Sequence, residues 1–108
     1  MLKTLTLAAL AVALHTSLAA ETVTLGEAHH AYYTGQYERS LAMYRQLAEA
    51  GNAEAAERAG FMLLQDEEVF GKQIQRNVPK ARELIMQAAM AGRAGANFLL
   101  NMVGPQAD

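Results

Sequence analysis

Two short stretches of the chain, LAEAGNAEA at 47–55 and AAMAGRAGA at 88–96, repeat one alternation of alanine and glycine. With an offset of 41 residues (92 − 51), Gly51 falls on Gly92, and the alanines at 48, 50, 53 and 55 fall on alanines. Glycine readily adopts the positive-φ conformation that ends many helices, and alanine lets neighbouring backbones approach closely. Each stretch is therefore predicted to end one helix and begin the next. A helix pair that returns after about 40 residues is typical of an α-solenoid.

The flanking sequence carries start and stop signals for five helices. Thr24 and Glu27 are spaced as a capping box, and Asn52 and Asn77 stand where N-caps are expected. Between them, apolar residues recur at helical spacing along one face, at Tyr37, Leu41, Tyr44 and Leu47. The third helix begins at Ala53, and its end stays open: it stops near Gln65, or it continues to Phe70 with Gly71 as terminator. The fifth, AGANFLLNMV at 94–103, is apolar on almost every side.

This pattern resembles the Sel-one-like repeats, which are relatives of the tetratricopeptide repeats. The opening Y-x-x-G-x-Y and the following LAE-x-G-x-A-x-A of that family are matched by Tyr32, Gly35, Tyr37, Leu47, Ala48, Glu49, Gly51, Ala53 and Ala55. The LG-x-M motif of the family is matched at 59–62. Its KA…AA-x-x-G-x-A-x-A motif is matched at 80–96. The resemblance covers residues 25–104 with two departures. QDEEVFGKQIQRN at 65–77 replaces a shorter G-x-G-V turn, and Leu100-Asn101 replaces the closing LG.

The resemblance implies an all-α fold, a short α-solenoid of about two helical hairpins plus a final single helix. It also implies a scaffold that binds another protein in a helical groove, lined mainly by the first helix of each pair, without catalysis. By analogy with the family, the candidate partner-binding residues in that groove are His29, Tyr33 and Arg58.

Two apolar segments add further candidates for partner binding. In a solenoid the outer side of the fifth helix would be covered by a following helix, and none follows in this sequence. Phe98 and Leu99 must therefore fold back, pair with a second copy in a homodimer, or dock on a partner. The connection at 66–76 carries Val69, Phe70 and Ile74 among charges. These residues either tuck under the neighbouring helices or form a binding loop, so Phe70 is a candidate as well. The alternative function is a structural protein that self-associates through its apolar C-terminal helix.

The first nineteen residues are predicted to be a cleaved secretory signal. Lys3 precedes an uncharged run at 5–14, and Ser17 and Ala19 stand at the −3 and −1 positions, with cleavage after Ala20 as the alternative. Because the run is too short to span a bilayer, membrane contact is expected only through the transient signal. The sequence thus predicts a periplasmic or secreted protein, with one repeat domain at 20–104 and a disordered tail at 105–108.

Composition argues against several kinds of chemistry. The chain has no cysteine, which excludes disulfides and thiolate metal sites, and its basic residues form no stripe suited to nucleic acid. His29 and His30 point about 100° apart on a helix, so they cannot easily share one metal ion. The acidic run at 66–68 lacks the spacing of a calcium-binding loop. No metal, no cofactor and no enzymatic activity are predicted.

Overall fold

The computed structural model describes residues 22–104, and those residues form six helices and no strand. The helices are α1 (Leu25–Tyr33), α2 (Tyr37–Glu49), α3 (Ala53–Leu63), α4 (Glu67–Phe70), α5 (Val78–Met90) and α6 (Ala94–Val103). The predicted all-α fold is confirmed. The predicted signal at 1–19 and tail at 105–108 lie outside the described residues. No helix within 22–104 combines the length and the apolar character needed to cross a membrane.

The predicted caps are present at the starts of α1, α3 and α5. The Thr24 hydroxyl accepts a hydrogen bond from the Glu27 backbone, while the Glu27 carboxylate accepts one from the Thr24 backbone, which completes the capping box. The Asn52 side chain accepts from the Ala55 backbone at 2.8 Å, and Asn77 accepts from the Lys80 backbone at 3.1 Å. Each bond satisfies a backbone donor that has no partner inside the helix, so the helix starts are defined locally.

The two alanine–glycine corners have the same backbone geometry. Gly51 and Gly92 have φ values of 99° and 96°. At the first corner the amide of Asn52 donates to the carbonyl of Leu47 at 3.0 Å, and Arg93 repeats this bond to Ala88 at 3.2 Å. These are the backbone bonds of a Schellman turn. The repeated alanine–glycine pattern therefore corresponds to the same helix–turn–helix corner at two places in the chain.

The helices pack in chain order as two hairpins and a final single helix. Three-residue turns join α1 to α2 and α2 to α3, so consecutive helices run antiparallel. The pairs α1–α2 and α3–α5 form hairpins, α2 packs on α3, and α6 packs on α5 and along α3. We call α1, α3 and α6 the first helices and α2 and α5 the second helices. The side chains of Tyr44, Met62 and Ile85 are fully buried between these layers.

The third helix ends near Gln65, as the first of the two alternatives predicts, and does not continue to Phe70. The helix ends at Leu63, and a separate one-turn helix, α4, then ends at Gly71, whose φ is 99°. Phe70 and Ile74 are buried in the core, whereas Val69 is exposed. The amide of Asn77 donates to the carbonyl of Leu63 at 2.9 Å, which returns the chain to the end of α3. The connection is thus a packed part of the domain.

Candidate functional site

A cleft of about 330 Å³ opens on the face formed by the first helices. It is lined from all three of them, by Tyr32 of α1, by Glu57, Arg58 and Phe61 of α3, and by Gly95, Phe98 and Leu99 of α6. This is the face on which the resemblance places a groove. A second depression of about 480 Å³ shares three lining residues with the cleft and continues past Leu64 and Met102. We call the two together the first-helix groove.

The groove is apolar because α6 presents large side chains that no later helix covers within the described residues. Phe98 and Met102, four residues apart on α6, are 65% and 66% exposed. Phe61 of α3 lies across from them and is 37% exposed. Exposed apolar groups gathered in a concave surface are typical of sites that bind proteins, membranes or small molecules. The opposite side of α6 packs inward through Ala96, which is fully buried.

An ion pair fixes the position of α6 against α3. Arg93 Nε donates to Glu57 Oε1 at 2.7 Å, and the Glu57 side chain is only 14% exposed. A Cβ at position 95 would collide with this carboxylate, so Gly95 lets Glu57 lie against the first turn of α6. A carboxylate is stabilised there by the positive end of the helix dipole. The Glu57–Arg93 ion pair therefore joins two of the helices that line the groove, α3 and α6.

His29 joins α1 to both helices that follow it. Its Nε2 lies 3.2 Å from Glu54 Oε2, and its Nδ1 is hydrogen-bonded to the hydroxyl of Tyr44. Because a carboxylate can only accept, Nε2 carries the proton and Nδ1 accepts from the phenol when the ring is neutral. The Tyr44 side chain is fully buried, so no substrate can reach its hydroxyl. The arrangement therefore joins α1, α2 and α3 through three side chains.

Burial raises the pKa of the Tyr44 phenol above its ordinary value of 10.0, and the partly opposing influence of Arg58 is smaller. The folded chain therefore retains a proton that the unfolded chain releases, and stability falls as pH rises through and beyond about 10. We expect the difference in unfolding midpoint between about pH 8 and about pH 11 to be smaller in Tyr44→Phe than in the wild type. Thermal unfolding followed by circular dichroism measures this difference.

The Tyr33→Phe variant is the control for the alkaline experiment, since it removes the same hydroxyl group from a residue that is 71% exposed. It should retain the alkaline loss of the wild type. Equal pH dependence in Tyr44→Phe and the wild type would show that this phenol is not the group responsible.

Five of the six predicted binding residues lie at or near the groove, and one does not. Arg58, Phe98 and Leu99 line it. Tyr33 is exposed beside it, with its ring centroid 5.4 Å from that of Tyr32, and His29 is half-buried behind it. Phe70 is packed into the core and is 8% exposed, so it does not form a binding loop. Its ring packs against those of Tyr32 in α1 and Tyr37 in α2.

Several groove residues were not singled out as binding candidates from the sequence. Phe61 is the large residue within the LG-x-M match, so its place in the first helix of a pair was available as a signal. Met102 was visible as part of the apolar fifth helix. Glu57 and Gly95 carried no such signal, because their pairing depends on how α6 docks on α3.

The two adjacent histidines point to different places. His30 is exposed beside a separate depression of about 460 Å³ that Glu27 also lines, away from the network of His29. Among residues 22–104, no group of three or more histidine, cysteine, aspartate or glutamate side chains is placed to hold a metal ion.

Comparison of the chain with protein-family models, with curated proteins and with solved structures gave no match. The fold and the groove themselves therefore define the class: an all-α domain of two helical hairpins and a single helix, with an apolar groove along its first helices.

Proposed function

We propose that this chain is an exported scaffold of the Sel-one-like kind, which binds a segment of another protein in its first-helix groove. Catalysis has no part in this function. The observation that carries the proposal is the exposed apolar surface of Phe61, Phe98 and Met102, gathered on one concave face.

Two properties of the groove support binding of this kind. Its walls are helices whose mutual positions are set by the core and by the Glu57–Arg93 pair, so little ordering is required when a partner enters. Its lining combines aromatic and aliphatic side chains with a few charged groups at the sides. Such a composition matches helix-in-groove recognition, in which an amphipathic segment buries its apolar face.

The experiment is a comparison of two aspartate substitutions at exposed apolar positions. Phe98 lies in the groove, whereas Met90, at the end of α5, is 82% exposed and lies outside it. We expect Phe98→Asp to lose partner captured from a periplasmic extract, because a buried unpaired carboxylate opposes association. Met90→Asp should capture the same partner as the wild type. Mass spectrometry of the captured proteins measures both.

The proposal fails if both variants capture the partner equally well. Unfolding midpoints of the two variants should stay close to that of the wild type, since neither side chain is buried. Loss of capture in Phe98→Asp then reports on the surface and not on the fold.

The exposed side of α6 also favours a second function, self-association through this helix. Light scattering on the purified protein separates the two proposals. A monomer at micromolar concentration counts against self-association, and a dimer that Phe98→Asp converts to a monomer would support it.

Export through residues 1–19 is likewise part of the proposal. Its support is the charged start, the uncharged run at 5–14 and the small residues before the cleavage point. Cell fractionation followed by determination of the amino-terminal residue tests it, with Ala20 expected, or Glu21 for the alternative cleavage.

A further inference from the structure

One cation in the first-helix groove lacks the hydrogen bonds that the other charged groups there possess. Of the other charged residues that line the groove, Glu57 is bonded to Arg93 at 2.7 Å and Arg76 is bonded to Asp66 at 3.3 Å. Glu54, which does not line the groove, lies closest to His29, with 3.2 Å between Oε2 and Nε2. Arg58 Nη2 reaches Glu54 Oε2 only at 3.8 Å, which is attractive but too long for a hydrogen bond. Within residues 22–104, Arg58 therefore places a guanidinium with five N–H donors in the cleft and donates none of them.

The position of Arg58 in the cleft means that a bound partner would change the surroundings of its N–H donors. Its side chain is 37% exposed and lines the same cleft as Phe61 and Phe98. A partner that covers these rings also removes water from the guanidinium. In that drier setting, N–H donors that have no acceptor are costly, even though Glu54 partly balances the charge. A charge-assisted hydrogen bond there is stronger than at an open surface.

We infer that the groove recognises a segment whose large apolar side chain is followed closely by an aspartate or glutamate, and that Arg58 binds this carboxylate. The inference rests on the proposed function and adds the chemistry of the partner. The apolar side chain covers Phe61 and Phe98, and the carboxylate accepts the donors that Glu54 does not reach. Planar guanidinium and carboxylate groups suit such paired bonds.

The groove continues from Arg58 beyond Phe61, past Leu64 and Met102, so a bound segment extends along it in that direction. The carboxylate assigned to Arg58 is that of an aspartate or glutamate side chain of this segment.

A display library of random peptides tests the inference, because it selects for binding chemistry and does not require the partner to be identified. The full chain is expressed, and the protein purified after any processing by the cell is the bait. The variants Arg58→Gln, Arg58→Glu, Arg45→Gln and Phe98→Asp are prepared in the same way. Arg45 lies on α2, exposed and outside the groove, and is the matched control. Circular dichroism confirms that each bait is folded.

The wild type and Arg45→Gln should enrich peptides that join a large apolar residue with an acidic one. Arg58→Gln should retain the apolar preference and lose the acidic one, and Arg58→Glu should select lysine or arginine instead. For an enriched peptide, the exchange of its acidic residue for the amide should weaken binding to the wild type about tenfold to hundredfold. The same exchange should leave binding to Arg58→Gln nearly unchanged.

The outcomes separate this inference from the proposed function. Enriched peptides that depend on Phe98 but show no acidic preference, or keep it in Arg58→Gln, overturn the role of Arg58 and leave the groove in place. Enrichment that Phe98→Asp does not alter, or no enrichment at all, counts against both. If Arg58→Glu does not fold, the comparison of Arg58→Gln with Arg45→Gln still decides.

Discussion

Replacement of Phe70 by alanine is expected to lower the free energy of unfolding by about 3–5 kcal/mol, the range for truncation of a buried aromatic side chain. Phe70 is 8% exposed although it lies in a four-residue helix. Its ring centroid is 4.9 Å from that of Tyr37 and 5.8 Å from that of Tyr32. The substitution therefore creates a cavity between the connection and the first hairpin. Chemical denaturation followed by circular dichroism measures the change.

Phe98→Ala is the matched control, because it removes the same atoms from a side chain that is 65% exposed. We expect its free energy of unfolding to change by no more than about 0.5 kcal/mol. A harmless Phe70→Ala would mean that the connection is not part of the core. In that case the alternative prediction from the sequence, a binding loop at 66–76, would be favoured.

Gly60→Ala is expected to destabilise the protein by about 1–3 kcal/mol, against the direction of helix propensity. In an exposed helix interior, the same change stabilises by about 1 kcal/mol. Here a Cβ would lie 2.5 Å from Cγ1 of Ile85 and 3.1 Å from the carbonyl oxygen of Ala81. Both neighbours are fully buried in α5, so the two helices must separate to accept one methyl group.

Two companion variants isolate the cause of the Gly60 effect. Gly26 lies in α1, where an added Cβ meets only Thr24 Oγ1 at 4.0 Å, so Gly26→Ala should be neutral or stabilising. Ile85→Ala removes the nearest obstacle, and Gly60→Ala should cost less in that background than in the wild type. Equal costs in both backgrounds would show that the Ile85 side chain is not the source of the Gly60 effect.

The sequence determined most of the helices because their signals are local. Thr24, Asn52 and Asn77 cap helices with their own side chains. Gly51 and Gly92 adopt positive φ in the turns that follow α2 and α5. Each signal needs only the few residues around it. For this reason the repeat at an offset of 41 residues could be interpreted correctly without any tertiary contact.

The connection and the groove required tertiary information. Whether Phe70 faces the core depends on Tyr32 and Tyr37, which come more than thirty residues earlier in the chain (70 − 37 = 33). The Glu57–Arg93 pair likewise joins residues 36 apart. No local pattern reports such pairings in a single sequence. The first-helix face could be proposed from the resemblance, and the spacing of four residues predicts the Glu54–Arg58 ion pair on α3. The Glu57–Arg93 pair could not be predicted in this way.

The most direct test of the first-helix groove as the binding surface is to locate a captured partner on it. A benzophenone-bearing phenylalanine analogue at position 98 keeps an aromatic side chain in the groove, and the same analogue at position 90 places it on α5. After illumination, we expect the partner to be cross-linked from position 98 and not from position 90. Cross-linking from position 90 alone would place the partner on the second helices and contradict the account.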